Sequence, residues 1–431
     1  MYDSPMENIY LEFSKDLIKF IDASPLNYFA VKNAKDILEE HGYKRLYENE
    51  SWNLERGKYY VTRDDSALIA FELAEDIKKG FDIIGSHTDS PTFKIKSNPE
   101  IFSNGYLKLN IEAYGGMIHS TWLDRTLSIA GKVVYRKDAS LKSTLVKVDR
   151  NLLTIANAAI HMNRDINKGY AYNPQDNLYP IVKTIKDKFE SDSYILDLLA
   201  EEIGIDKSDI LDFDLGLYDR QAGAIINDDM VQVGRIDNLG SVHASLMALV
   251  DSKTARNKMI VLNDNEEIGS RTRGGAASTF LANILERIAL KMGADREGYQ
   301  IMIENSMLIS ADQAHAIHPN YIAYADPTNI VKMNEGLVIK IAANGAYASF
   351  VETMARLENI ADKLNLKLQK FHNRNDKQGG STIGPITTTA LGLKTVDVGI
   401  PMLAMHSIRE LAGVKDHYEA YLIYKNFFEG E

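Results

Sequence analysis

Two neighbouring glutamates follow an apolar segment and raise the first question of chemistry. Residues 260–272 read IVLNDNEEIGSRT, so Asp264, Glu266 and Glu267 lie within four residues. A divalent metal takes one carboxylate as a ligand, and a second can accept a proton from water whose pKa the metal lowers to about 7. A solvated acidic loop is the alternative. The pair therefore predicts either a polar loop or a hydrolytic metal site.

Two further motifs supply candidate ligands near the ends of predicted elements. His87 and Asp89 in IIGSHTDSP are spaced so that the carboxylate can orient a ligand histidine through its second ring nitrogen. Asp237 in GRIDNLGS precedes a predicted helix, where an aspartate either caps the helix or bridges two metals. Each motif alone is weak, because a polar turn accounts for the first and a helix cap for the second.

The C-terminal half carries two more clusters. LISADQAHAIHPNY contains Asp312, His315 and His318, although His318 alone is more typical of a structural histidine. IPMLAMHSIREL contains His406, which alone would also be structural. Between them, residues 379–386 form a glycine-rich turn suited to close approach by a ligand, but it lacks the lysine of a nucleotide-binding P-loop.

Composition limits the chemistry. The chain has 431 residues, a net charge of −11 and a pI near 5.5, which argues against a nucleic-acid binder. It has no cysteine, so a metal must be held by His, Asp and Glu. The N-terminus does not resemble a signal peptide, and no apolar stretch is long enough to span a bilayer. We therefore expect a cytoplasmic enzyme that acts without membrane or nucleic-acid partners.

The order of predicted elements indicates an α/β fold with an insertion. Strands alternate with helices at both ends of the chain, which predicts a mixed, mainly parallel sheet flanked by helices. Short alternating strands fill the middle. We predict one catalytic domain from residues 1–95 and 230–431, with a β-rich domain inserted at residues 96–229. The polar clusters would then meet at the carboxyl ends of strands, where open α/β sheets place their sites.

Together the clusters supply a histidine, an aspartate, a glutamate pair, an aspartate and a second histidine. Two divalent metals could share Asp237 as a bridge. Nitrogen and carboxylate ligands suit zinc, and cobalt or manganese could replace it.

The motifs GSHTDSP, RIDNLGS, NDNEEIGS, ADQAHAIHPNY and MHSIRELAG occur in an order that resembles the aspartyl aminopeptidase family of dizinc metallopeptidases. The resemblance covers nearly the whole chain. It implies a metalloaminopeptidase that removes the N-terminal residue of peptides, with a preference for Asp or Glu and two zinc ions per subunit. It also implies dimers, joined through the inserted domain, that assemble into a tetrahedral dodecamer.

The resemblance also implies residue roles. Glu266 would be the general base, Asp89 the partner of His87, and His161 a residue lent to a neighbouring subunit's active site. Lys340 and Tyr347 would contact substrate. The metal ligands would be His87, Asp237, Glu267, Asp312 and His406, with Asp237 as the bridge.

Some features remain open at this level. His119 has no assigned role, and Arg271 and Arg273 are expected to face solvent. A dimetal deacylase acting on small N-acyl substrates is a second enzymatic interpretation. A peptide-binding scaffold is a third, but a scaffold would not need the base Glu266.

Overall fold

The computed structural model describes residues 5–186, 192–253 and 255–430. Its backbone divides into two units. The first unit contains Met1–Asp89, Gly223–Met405 and Glu410–Glu431, and the second contains Ser90–Ala222 and His406–Arg409.

Ten helices and eighteen strands are named here in chain order over the described residues. The helices are α1 (Pro5–Ala23), α2 (Asn27–Glu40), α3 (Pro174–Asn177), α4 (Tyr194–Ile203), α5 (Ile236–Asp251), α6 (Phe280–Lys291), α7 (Arg296–Glu304), α8 (Val351–Lys363), α9 (Ile383–Leu391) and α10 (Val414–Phe428). The strands are β1 (Lys44–Arg45), β2 (Gly57–Arg63), β3 (Ala67–Leu73), β4 (Asp82–His87), β5 (Thr92–Ser103), β6 (Tyr106–Tyr114), β7 (Leu127–Lys137), β8 (Ser140–Lys147), β9 (Ile181–Thr184), β10 (Ile210–Asp219), β11 (Ala224–Ile226), β12 (Met230–Val233), β13 (Lys258–Asn263), β14 (Met307–His315), β15 (Val338–Lys340), β16 (Gln369–Phe371), β17 (Lys394–Leu403) and β18 (Glu410–Gly413).

The first unit is built on a mixed sheet with a parallel centre. Its main strand order is β1-β2-β3-β13-β4-β14-β17-β18-β12-β11, and β15 and β16 attach beside β17. Neighbours among β13, β4, β14 and β17 are parallel, whereas β3 and β18 pair with this centre in antiparallel fashion. Helices cover both faces of the sheet, because two separate apolar clusters join it to different sets of helices. This architecture confirms the predicted α/β class.

The central strands are buried because both faces of the sheet are covered. Apolar side chains of α1, α2, α5, α8 and α10 form one cluster with the sheet, and those of α6 and α7 form another. All six residues of β4 and of β13 are buried. This explains why the middle of each strand is apolar in the sequence, at residues 83–85 and 259–262, without the alternation of polar residues that a half-exposed strand shows.

The second unit is an antiparallel sheet of order β8-β7-β10-β5-β6-β9. Helix α4 packs on it through Ile195, Leu198 and Leu199, which belong to the unit's apolar cluster. Its limits, Ser90 and Ala222, lie a few residues before the domain limits predicted from the sequence, and residues 406–409 join it from the distant C-terminal region. Its role in dimerisation stays a prediction.

Several predicted helices differ from the observed ones at their ends. The sequence pattern predicts a helix over Ala276–Lys291, but helix α6 begins at Phe280, because residues 276–279 form turns and bends. The pattern also predicts a helical segment over Ser191–Glu202, and its first residue lies outside the described residues. Helix α10 was not predicted at all. It is buried around most of its circumference, so it lacks the one-sided apolar stripe that marks a surface helix.

Among the residues that the structure describes, we find no helix with the length and apolar character needed to cross a membrane.

Candidate metal centre

The register of three parallel strands brings distant motifs to one edge of the sheet. His87 is the last residue of β4, and it pairs with Asn263, the last residue of β13. On the other side of β4, Ser310 of β14 pairs with Gly85, so the same register places Asp312 level with His87. The carboxyl ends of these strands therefore carry His87, Asp312 and the acidic turn after Asn263 together.

Two overlapping sets of donor atoms surround His87. One set is His87, Glu266 and Asp312, and the other is His87, Asp237 and Glu267, with the donor atoms of each set within 4.8 Å of one another. The Nε2 atom of His87 is buried and lies 3.4 Å from Oδ1 of Asp237 and 3.6 Å from Oδ1 of Asp312. Four of the sequence-predicted site residues, Asp237, Glu266, Glu267 and Asp312, thus surround the imidazole of a fifth, His87.

Asp89 positions both the imidazole of His87 and the turn that carries the two glutamates. Its Oδ1 atom lies 3.2 Å from Nδ1 of His87, on the side of the ring away from the cluster. The same carboxylate accepts hydrogen bonds from the backbone N–H groups of Glu266 and Glu267, each at 3.1 Å. The sequence predicted the contact with His87, but nothing in the pattern predicted the two amide contacts. One aspartate therefore orients the imidazole and the glutamate turn together.

The start of α5 is tied to β14 by buried amides. The side chain of Asn238 donates to the carbonyl of Ala311 at 2.9 Å, and that of Gln313 donates to the carbonyl of Ile236 at 3.1 Å. The backbone N–H of Asp237 donates to the Glu410 carboxylate at 3.0 Å. These bonds fix the carboxylate of Asp237 relative to that of Asp312, the residue between Ala311 and Gln313.

Buried negative charge perturbs the protonation of this cluster. Burial, reinforced by Asp312, Glu267 and Asp237 and opposed by His87, raises the pKa of Glu266 to about 8. Burial disfavours the charged form of His87, but the carboxylates of Asp237, Asp312 and Asp89 outweigh it and hold the pKa of His87 well above its usual range. Protons thus supply the positive charge that the cluster needs when no cation is bound.

The donor set fits zinc. Imidazole nitrogen and carboxylate oxygen are both zinc ligands, and a dication would supply the charge that the buried carboxylates require. The buried Nε2 atom of His87 faces the carboxylates without a hydrogen bond, in the orientation a metal ligand needs while Nδ1 is held by Asp89.

The two predicted substrate-contact residues lie together beside this cluster. Both Lys340 and Tyr347 are buried, and Nζ of Lys340 lies 5.4 Å from the centre of the Tyr347 ring. The ammonium group also donates to the carbonyl of Gln313 at 2.9 Å, one residue after Asp312. Burial raises the pKa of Tyr347, and the positive charge of Lys340 opposes the shift.

Three predicted or unassigned histidines belong to the second unit. His406 is in neither donor set, and its Nδ1 atom lies 2.6 Å from the carbonyl oxygen of Gly116. His161 lies exposed in a loop. His119 lies beside the ring of Phe93, with the ring centres 6.1 Å apart. The roles predicted for His406 and His161 stay predictions.

The two arginines of the glutamate turn are exposed, as expected. Arg271 is solvent-accessible, and Arg273 is also exposed and pairs with Asp64 on the surface.

Comparison with known proteins decides the family. The family model described as aminopeptidase I zinc metalloprotease (M18) matches residues 20–428. The chain belongs to this family. A protein of Clostridium acetobutylicum named probable M18 family aminopeptidase 2 is 48% identical over 427 residues, which cover 97% of this chain and 99% of that protein.

Solved structures agree with the family. The chain is similar to a protein in the cryo-EM structure of the Ape4 and Nbr1 complex, with a TM-score of 0.96, 35% identity and coverage of 99% of this chain and 87% of that one. It is also similar to the S. cerevisiae mApe1 dodecamer, with a TM-score of 0.85, 28% identity and 97% coverage of each chain. The M18 chain is thus a zinc-dependent aminopeptidase, a hydrolase that acts at the N-terminus of peptides.

The protonation of the cluster makes metal binding pH-dependent. Glu266, with a pKa of about 8, and His87, whose pKa is raised well above its usual range, carry protons at pH 7 when no metal is bound. A cation must displace them, so zinc affinity should rise as pH increases from 6 towards 8 and fall in acid. Titration calorimetry at pH 7 in buffers of different ionisation enthalpy should show release of about one proton or more per chain. An enthalpy independent of the buffer would contradict this assignment.

Proposed function

We propose that the M18 chain cleaves its peptides at a dinuclear zinc centre in which Glu266 is the general base. The observation that carries the proposal is that the paired glutamates enter different donor sets around His87. Both sets share the imidazole of His87, which binds one ion, but together they offer five donor residues, more than the three or four protein ligands that one zinc ion takes, which supports two metals. His87, Asp237, Glu267, Asp312 and His406 would hold the ions, with Asp237 as the bridge, and cobalt or manganese could replace zinc.

Glu266 is placed to accept a proton from the attacking water. When bound, zinc supplies Lewis acidity that activates the water and polarises the scissile carbonyl. Glu266 accepts the water proton and returns it to the leaving amine. Asp89 contributes by holding the amides of both glutamates, so Glu266 stays aimed at the cluster while its neighbour binds metal.

The side-chain preference is proposed to be acidic. The buried ammonium group of Lys340 donates to the carbonyl of Gln313, the residue after Asp312. A carboxylate on the first residue of the substrate would form a charge-assisted hydrogen bond with this ammonium group. Tyr347 lies against the same ammonium group and would complete the pocket.

We propose that the chain works as a homo-oligomer, a dimer that builds a tetrahedral dodecamer. The similarity to the mApe1 dodecamer supports this assembly. Within it, residues 96–229 would form the dimer contact and His161 would reach a neighbouring active site to stabilise the developing oxyanion. Two exposed apolar side chains flank His161, namely Ile160 at 48% and Met162 at 81% exposure, as expected of a segment that a partner covers.

Replacement of Glu266 by glutamine tests the base. Glu266→Gln removes the proton acceptor but keeps the size of the side chain, so both metals should stay bound while turnover falls by about 10²- to 10⁴-fold or more. Metal content by mass spectrometry and the hydrolysis of an aminoacyl anilide measure the two effects. Near-normal turnover would overturn the assignment.

Glu267→Gln is the matched control for that experiment. It changes the adjacent carboxylate in the same way, but we expect it to lower metal content as well as turnover, because Glu267 is the proposed ligand. If the two variants exchanged these behaviours, the roles of the paired glutamates would be reversed.

Replacement of Lys340 by alanine tests specificity. If Lys340 binds an acidic first residue, Lys340→Ala should lower the ratio of aspartyl to leucyl substrate hydrolysis by about tenfold or more, as expected for loss of a charge-assisted contact. The ratio of kcat/KM for the two substrates is the measurement. An unchanged ratio would remove Lys340 from specificity.

A further inference from the structure

A cavity opens beyond the carboxyl end of β14, in the same unit as the donor cluster. Its volume is about 350 Å³, which is the size of a pocket for a small ligand or a short piece of peptide. His315, the last residue of β14, lines it, as does the glycine pair at 379–380 that the sequence marked as a place for close ligand approach. We call this cavity the strand-end pocket, and its other polar lining residues include His318, His372, Asn373, Arg374 and Lys377.

The strand-end pocket is continuous with the residues proposed to contact substrate. The ring of Phe371 lies 6.4 Å from that of Tyr347 and 6.1 Å from that of His315, so it connects the two regions. Asn373, which lines the pocket, also hydrogen-bonds to Tyr347. A ligand that extends from the cluster past Tyr347 would therefore reach the pocket.

The spacing along β14 sets the distance between the two sites. His315 follows Asp312 by three residues, which corresponds to about 10 Å of strand. An extended peptide rises by about 3.3 Å per residue, so the pocket lies roughly three residues along the substrate from the cluster. In the proposed function the side chain of the first residue ends at Lys340 and Tyr347, and no residue precedes the first one in the substrate of an aminopeptidase. The pocket therefore suits the part of the peptide that follows the scissile bond.

The charged groups of the pocket favour an anion. The Asp326 side chain accepts hydrogen bonds from the backbone of Thr328 and Asn329, and Asp376 accepts one from Nε of Arg374. Both acids are thus engaged by local donors. The ammonium group of Lys377 lies 4.6 Å from the centre of the Tyr324 ring, and its charge also acts on Asp376, whose main partner is Arg374, but no ion pair within 4.0 Å holds it among the described residues.

Tyr324 in turn stacks on Tyr321, with ring centres 5.5 Å apart, and both rings are largely exposed. The stacked tyrosines hold the lysine at the pocket by a cation–π contact and offer an apolar wall for a peptide backbone. Arg374 anchors the other wall by donating to the carbonyl of Ala323. The pocket thus presents a cation on a fixed aromatic support.

We propose that the strand-end pocket binds a carboxylate carried roughly two to three residues beyond the scissile bond, with Lys377 as the residue that recognises it. The inference rests on the proposed cleavage at the donor cluster. The carboxylate is either the C-terminus of a short peptide or an acidic side chain in a longer one. Lys377 is a specificity-determining residue in this account and takes no part in bond cleavage.

Matched peptides test the proposal and separate the two sources of the carboxylate. The first pair is leucyl-alanyl-alanyl-alanine with a free C-terminus and its C-terminal amide. The second pair is a longer amidated peptide with glutamate or glutamine at the third position after the scissile bond. The carboxylate member of a pair should have a kcat/KM about fivefold higher, through a lower KM, as expected for one exposed charge pair. A preference in only one pair identifies the source.

Variants of Lys377 complete the test in the full-length protein. Lys377→Gln should reduce the carboxylate-to-amide ratio to near one, and Lys377→Glu should invert it. Lys370→Gln is the control, because Lys370 is also exposed but pairs with Glu358 away from the pocket, and it should keep the wild-type ratio.

The outcomes distinguish this inference from the proposed function. Hydrolysis of an aspartyl or a leucyl anilide by the wild-type protein reports the aminopeptidase reaction itself, and the absence of both activities would reject the proposed catalytic centre. If the anilide is cleaved but both peptide pairs give a ratio near one, or if the ratio survives in both Lys377 variants, the carboxylate subsite is wrong.

Discussion

The structure depends on one electrostatic constraint: several carboxylates are buried around a single histidine. Asp237, Asp312, Glu266 and Glu267 all bring an oxygen close to the imidazole of His87, and the burial of His87, Asp237 and Asp312 limits how far water can screen the repulsion among these carboxylates. Without a cation the cluster keeps protons, as the raised pKa values of His87 and Glu266 indicate. A divalent metal removes the need for those protons. The same features that would destabilise an empty core thus make a strong cation site.

Strand pairing and buried hydrogen bonds hold these charged side chains together. Parallel register sets His87 level with Asp312, and the amides of Asn238 and Gln313 tie the start of α5 to β14. Asp89 spans the remaining gap, since it contacts the ring of His87 and the backbone of both glutamates. Repulsion among the carboxylates is therefore opposed by hydrogen bonds within a rigid scaffold, which keeps a hydrolytic site preorganised.

The residues of the cluster could largely be predicted from the sequence, whereas the contacts that position them could not. Strands β4 and β13 are apolar runs that end in polar residues, so His87 and the glutamate turn could be placed at one sheet edge, and the order of motifs supplied the other candidates. The amide contacts of Asp89 could not be predicted, because they depend on backbone geometry 177 residues away in the chain. Helix α10 was missed because it is buried on most sides. The pocket beside His315 was missed because residues from three separate segments of the chain line it. The placement of residues 406–409 in the second unit likewise comes from tertiary contacts rather than from any local pattern.

The most direct measurement of the central claim is anomalous diffraction at the zinc edge from crystals grown with zinc. The account predicts two peaks per chain, about 3.5–4 Å apart, among His87, Asp237, Glu267 and Asp312, with the carboxylate of Asp237 between them. A single peak, or two peaks elsewhere in the molecule, would contradict a dinuclear centre at this cluster.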